Sequence, residues 1–196
     1  MVLMKENAPK GVLRSYSVVE QWLVNENELG QEIKNVIAVG DVYFLYSDGA
    51  CRGNPGPGSW GILGKDREGN TLFEASGVEF NTTNNQMELQ GVIECLKHAH
   101  DFIRDKDGEK QPAIEIYTDS KYVVDGFNSW MAGWKARGWR KSDGKAPENL
   151  SHWQEVDKLS QYFDSIGLNW IKGHSGHPEN ERCDQIANLA LDEAGF

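Results

Sequence analysis

A chain of 196 residues with 39% hydrophobic residues, seven Trp, seven Phe and six Tyr is long enough to bury one sizeable core. Its formal net charge of -10 excludes a protein that coats nucleic acid non-specifically, because the summed field repels phosphates; a polyanionic substrate must be met by local basic patches or by metal ions. Cys51, Cys95 and Cys183 lie far apart without a CxxC pair, which excludes a disulfide scaffold and a zinc site, and no apolar run has the length of a membrane span or signal-peptide core, so a soluble protein of the cytoplasm is expected.

Residues 1–41 have few turn glycines and several acids. Ser17-Val18-Val19-Glu20 has the form of a capping box, and Val19, Trp22, Leu23, Leu29, Ile33, Val36 and Ile37 fall roughly at helical spacing, predicting one or two short amphipathic helices. The pattern changes at Val42-Tyr43-Phe44-Leu45-Tyr46, a strand stopped by Asp48-Gly49. After Gly53-Asn54-Pro55-Gly56-Pro57-Gly58, further strands are predicted around 59–64 and 71–79, giving an antiparallel meander. Val92, Cys95, Leu96, Ala99, Phe102 and Ile103 stripe a helix over 84–103, closed by a polar loop over 105–112. Ile114-Glu115-Ile116-Tyr117-Thr118 is the next strand. Helices follow near 120–129, 130–137 and 150–164, a strand near 167–172, and a last helix from Pro178 to Ala194, with His177 at its start. The expectation is a mixed five-stranded sheet with helices on both faces, residues 42–196 forming one α/β domain and residues 1–41 an extension.

Four acids sit where a carboxylate is awkward for folding alone. Asp48 ends a hydrophobic strand, Glu88 lies on the core-facing helix stripe, Asp119 begins a strand-to-helix turn, and Asp184 is near the start of the last helix. Each has a structural alternative: turn, salt-bridge partner, helix cap and solvated face, respectively. Together they would repel and raise one another's pKa unless cations hold them, and hard oxygen ligands suit Mg²⁺ or Mn²⁺.

The runs YSDGACRGNPGPGSWG (46–61), NTTNNQMELQG (81–91), IEIYTDSKYVVDG (114–126) and WIKGHSGHPENERCDQIANLA (170–190) closely resemble the bacterial type 1 ribonuclease H family, colinearly over roughly residues 42–194. The resemblance implies the ribonuclease H-like fold and hydrolysis of the RNA strand of RNA·DNA hybrids with two metal ions, leaving 5′-phosphate and 3′-hydroxyl ends. It implies that Asp48, Glu88, Asp119 and Asp184 are the metal-binding carboxylates, and that His174 assists proton transfer and product departure. The rival from another class is a catalytically inactive hybrid-binding module.

Hybrid recognition should rest on shape and the 2′-hydroxyls of an A-like minor groove, a task for amides that both donate and accept. By resemblance, Asn54, Asn84 and Asn85 contact that groove, with Cys51 and Gln86 nearby, and Thr83 contacts a DNA phosphate. The segment 130–145 interleaves Trp130, Trp134 and Trp139 with Lys135, Arg137, Arg140, Lys141 and Lys145, a reversal of sign in an acidic chain that resembles the family's basic protrusion gripping the DNA strand. At least one of these tryptophans is expected in the core.

Gln86 and Lys121 depart from the Arg and Gln of well-known bacterial members, and the loop over 101–111 looks longer. Residues 1–41 carry Glu6, Glu20, Glu26, Glu28, Glu32 and Asp41 against Lys5, Lys10, Arg14 and Lys34, a poor balance for a nucleic-acid clamp. Docking on the domain or on a protein partner is expected for this extension, and a monomer for the chain.

Overall fold

The computed structural model describes residues 42–107 and 112–196, the side chains of 103–107 excepted. The helices expected within residues 1–41 lie outside the described residues.

Five strands form one mixed sheet in the order β3-β2-β1-β4-β5: β1 (Val42–Cys51), β2 (Gly56–Lys65), β3 (Thr71–Thr82), β4 (Ala113–Thr118) and β5 (Ser165–Trp170). The first three make the expected antiparallel meander, while β4 and β5 add in parallel beside β1. Among the described residues five α-helices complete the fold: α1 (Asn84–Asp107), α2 (Lys121–Asp125), α3 (Met131–Ala136), α4 (Leu150–Ser160) and α5 (Pro178–Glu193). A π-helical segment, Gly126–Trp130, joins α2 to α3.

Helix α1 packs on β1, β2 and α4, and α5 packs on β1, β2 and β3. They occupy opposite faces, because β-strand side chains alternate. Gly61 of β2 lies against Cys183 of α5, whereas Gly49, the rung partner of Trp60, lies against α1. The main core is on the α1 side, where Leu45, Ile62, Leu89, Leu96, Ile114, Ile116, Val156 and Trp153 are buried in one cluster.

Several boundaries differ from the sequence expectation, each for a physical reason. Strand β1 does not stop at Asp48-Gly49. It continues to Cys51, since antiparallel pairing with β2 runs on through Asp48↔Gly61, Gly49↔Trp60 and Cys51↔Gly58. The bare backbone of Gly49 also admits α1, whose Glu88 nitrogen would lie 2.5 Å from a Cβ there. Pairing likewise starts β2 at Gly56, and Ser165 and Ile166 join β5 by pairing with Ala113 and Ile114. Helix α1 runs to Asp107, past the point where the polar loop was expected, because neither Gly nor Pro interrupts its second half before Gly108. The single helix expected near 120–129 is a short α2 followed by the π segment. There Gly126 lies directly against the ring of the fully buried Trp153, leaving no room for a side chain. Helix α4 ends at Ser160 in i→i+3 bonds from Tyr162 to Leu159 and Phe163 to Ser160, the usual tightening of a last turn.

Candidate active site

Asp48 and Asp119 come together because their strands are parallel neighbours. The last β1–β4 rung is Tyr46↔Tyr117, and each aspartate stands two residues beyond it. Glu88 arrives from the other direction, one turn into α1, where the helix crosses the bare backbone of Gly49. A capping box starts that helix: Gln86 Oε1 accepts from the Thr83 backbone N–H at 3.0 Å, and Thr83 Oγ1 accepts from the Gln86 N–H at 3.3 Å. The strand pairing and the cap therefore fix Asp48 on β1, Glu88 on α1 and Asp119 just past the end of β4. One oxygen from each of Asp48, Glu88 and Asp119 lies within 4.8 Å of the others.

Burial makes this group costly. Asp48 is 8% exposed and its carboxyl is pushed up to about 7, first by burial and then by the charges of Asp119 and Asp184; the N–H of Gly49, donating to Oδ1 at 2.8 Å, works in the opposite direction. Glu88 is 5% exposed and shifted well above the ordinary carboxylate range, again mainly by burial and then by Asp48 and Asp119. The Asn84 amide donates to Glu88 Oε1 at 3.5 Å, but the buried Oε2 has no hydrogen-bond partner among the described residues. Three converging carboxylates, one of which has an oxygen without a partner among the described residues, fit a divalent cation: it would supply a missing partner and offset the repulsion.

The fourth predicted carboxylate, Asp184, stands outside this three-oxygen group. It is half-buried on α5, where the Asn188 amide donates to its Oδ1 at 2.7 Å and to its carbonyl at 2.9 Å. It remains near enough to raise the Asp48 carboxyl. His174 is exposed in the loop before α5 with a left-handed φ of 49°, and His177, as expected, stands immediately before Pro178 at the helix start.

The predicted groove-reading residues lie beside the cluster. Asn54, Asn84 and Asn85 are all exposed, and Asn54 Oδ1 accepts from the Asn84 backbone N–H at 3.3 Å, linking the β1–β2 loop to the start of α1. Cys51 Sγ donates to the carbonyl of Gly53 at 2.6 Å. Gln86 spends its side-chain oxygen on the cap described above.

The basic segment lies along a groove of its own. Trp130, Trp134, Arg137 and Lys141 line an open groove with Tyr122 and Ser142. Trp134 is the expected core tryptophan at 8% exposed, Trp139 packs against the same core, and Trp130 is 39% exposed. Arg137 and Arg140 donate to the carbonyls of Arg140 and Gly144, so their charges are not neutralised by these bonds. Lys135 differs from them: it is ion-paired with Asp157 of α4.

Sequence reasoning missed Gly49, Gly173 and Trp170. Gly173 lies directly against Asp119 Oδ2, and the Trp170 indole N–H donates to the Asp119 carbonyl at 2.9 Å. Both glycines sit inside recognisable motifs, but their packing role depends on contacts between distant segments and leaves no local signal.

The sequence model of the RNase H family matches residues 40–192. A protein named Ribonuclease H from Thiobacillus denitrificans is 46% identical over 158 residues, covering 79% of this chain and 96% of that protein. Among solved structures, RNase H1 from the halophilic archaeon Halobacterium salinarum is 29% identical with a TM-score of 0.60, covering 78% of this chain and 98% of its own. LC11-RNase H1, isolated from compost and solved in complex with RNA/DNA hybrid, is 27% identical with a TM-score of 0.60 over the same shares, 78% and 98%.

Proposed function

Because the chain belongs to the ribonuclease H family, we propose that it is an endonuclease hydrolysing the RNA strand of RNA·DNA hybrids to leave 5′-phosphate and 3′-hydroxyl ends. The observation that carries this reading is the convergence of Asp48, Glu88 and Asp119 within 4.8 Å, with a buried Glu88 oxygen that has no partner among the described residues. Asp48, Glu88 and Asp119 would hold two Mg²⁺ ions, or Mn²⁺ as the alternative, with Asp184 joining from the rim. Such a pair, when bound, supplies an activated water and stabilises the leaving oxygen of a phosphodiester.

The chain's own residues do the rest. Asn54, Asn84 and Asn85 meet 2′-hydroxyls in the minor groove of the hybrid, with Cys51 and Gln86 beside them, and Thr83 meets a DNA phosphate. The groove of Trp130, Trp134, Arg137 and Lys141, with Arg140, takes the DNA strand by charge and stacking, and Lys135 steadies its base through Asp157. His174, on an exposed loop tethered beside Asp119 by Gly173, passes a proton and helps product depart. Residues 42–196 form the catalytic domain, acting as a monomer in the cytoplasm, and residues 1–41 serve docking, on the domain or on a protein partner. Among the described residues no helix is long and apolar enough to cross a membrane.

The test is cleavage of labelled hybrid, double-stranded RNA and single-stranded RNA in parallel, with and without Mg²⁺. Hybrid alone should be cut, and only with metal. Tight hybrid binding without cleavage at any Mg²⁺ or Mn²⁺ concentration would instead support the inactive binding module.

A further inference from the structure

Asp119 is the least enclosed of the three clustered carboxylates: it follows the end of β4, and unlike Asp48 and Glu88 it is only half-buried. Something other than burial must therefore hold its side chain toward the other two. Two contacts, one from the last residue of β5 and one from the β5–α5 connection, do so. The Trp170 indole N–H donates to the Asp119 carbonyl at 2.9 Å. Three residues on, the backbone of Gly173 passes so close to the carboxylate that a Cβ there would overlap Oδ2.

Trp170 is itself fixed although it is 44% exposed. Thr118↔Trp170 is the last β4–β5 rung, the Ile171 N–H donates to the Thr118 carbonyl at 3.0 Å, and Lys121 Nζ sits 4.7 Å over the indole ring. Asp119 is thus held by its backbone at Trp170 and confined at its carboxylate by Gly173, and one oxygen still lies within 4.8 Å of Asp48 and Glu88.

We propose that Gly173 and Trp170 are positioning residues for Asp119, setting the orientation of its carboxylate and hence the affinity of the site for a divalent cation. The proposal rests on the reading of Asp119 as a metal ligand. Outer partners of metal ligands typically contribute about 10–100-fold in metal affinity.

The experiment titrates Mg²⁺ alone into the metal-free full-length protein by calorimetry, for the parent, Gly173→Ala and Trp170→Phe. Hybrid KM at saturating Mg²⁺ and the melting temperature in EDTA are measured alongside. Gly173→Ala should weaken Mg²⁺ binding about tenfold or more and move the Mg²⁺ midpoint of cleavage by the same factor, with KM for hybrid unchanged. Trp170→Phe keeps an aromatic ring but removes the N–H, and should shift both in the same direction. Parent-like Mg²⁺ affinity in either folded variant overturns the proposal; should Gly173→Ala fail to fold, Trp170→Phe decides alone. A parent that binds no Mg²⁺, or an Asp119→Asn variant that binds it as well as the parent, would instead remove the underlying ligand assignment and this proposal with it.

Discussion

A carboxyl pushed up to about 7, as at Asp48, makes a statement about stability as well as chemistry. The unfolded value is about 3.9, so between about pH 4 and pH 7 the folded protein binds more protons here than the unfolded chain does. The contribution of this group to stability therefore falls as pH rises through that window and is flat above it. Asp48→Asn removes the penalty: in EDTA at pH 8 its melting temperature should exceed the parent's by about 2–4 °C for each kcal/mol of relieved repulsion, and the gap should close toward pH 4. Mg²⁺ should raise the parent's melting temperature at pH 8 far more than the variant's. A gap independent of pH, followed by calorimetry across the series, would show that repulsion and burial are not what shift Asp48. Asp119→Asn tests the chemistry at the same scale. It keeps the shape and removes one anionic ligand, so cleavage should fall at least about a hundredfold, equivalent to about 2.7 kcal/mol of barrier. Hybrid binding should survive, because it is assigned to Asn54, Asn84, Asn85 and the basic groove. Normal cleavage by this variant would end the assignment.

Elements carry these residues to one place, and the sequence revealed the elements more clearly than their joins. The helix stripe of Val92, Cys95, Leu96 and Ala99 announced both α1 and the oddity of a buried Glu88, because period 3.6 is a local property. The extension of β1 through Asp48-Gly49 was hidden, since a DG pair looks like a turn until β2 is found paired across it. Likewise the separation of Asp184 from the other three carboxylates depends on how α5 sits on the sheet and on the Asn188 amide, neither of which spacing discloses. The join at Gly49 makes a prediction. With the Glu88 nitrogen 2.5 Å from the position of an added Cβ, Gly49→Ala must push the start of α1 off β1, at a cost of about 1–3 kcal/mol, and displace Glu88. Denaturant midpoint and Mg²⁺ affinity should both fall, whereas a neutral result in both would show that the helix start can yield. The segment from α3 to Lys145 makes another. Arg137, Arg140 and Lys141 changed together to Ala should weaken hybrid binding and flatten its dependence on log salt by up to about 0.9 for each phosphate that is no longer neutralised, with turnover at saturating substrate little changed. An unchanged salt slope would show that the protrusion does not meet the substrate.

At the scale of the whole molecule the question is what the first 41 residues add. The family model begins at residue 40, and every motif that carries the resemblance, every clustered carboxylate and the basic groove lie beyond it. The extension also contributes little to the long-range field: residues 1–40 hold five acids (Glu6, Glu20, Glu26, Glu28 and Glu32) and four bases (Lys5, Lys10, Arg14 and Lys34), one unit of the net -10. Removing them leaves the charge that steers hybrid toward or away from the site almost unaltered, so the association rate and its salt dependence should stay near the parent's. Deletion of residues 1–40 is therefore expected to give a folded enzyme with parent-like kcat and KM on hybrid. Stability is a separate matter. If Trp22 and Ile33 pack on the domain, the deletion lowers the melting temperature while leaving kinetics intact; if they serve a protein partner, the melting temperature is also unchanged. Differential scanning calorimetry beside the cleavage assay separates these two roles. A folded truncation without hybrid cleavage would refute both, because the extension would then have to complete a site whose clustered carboxylates and basic groove all lie outside it.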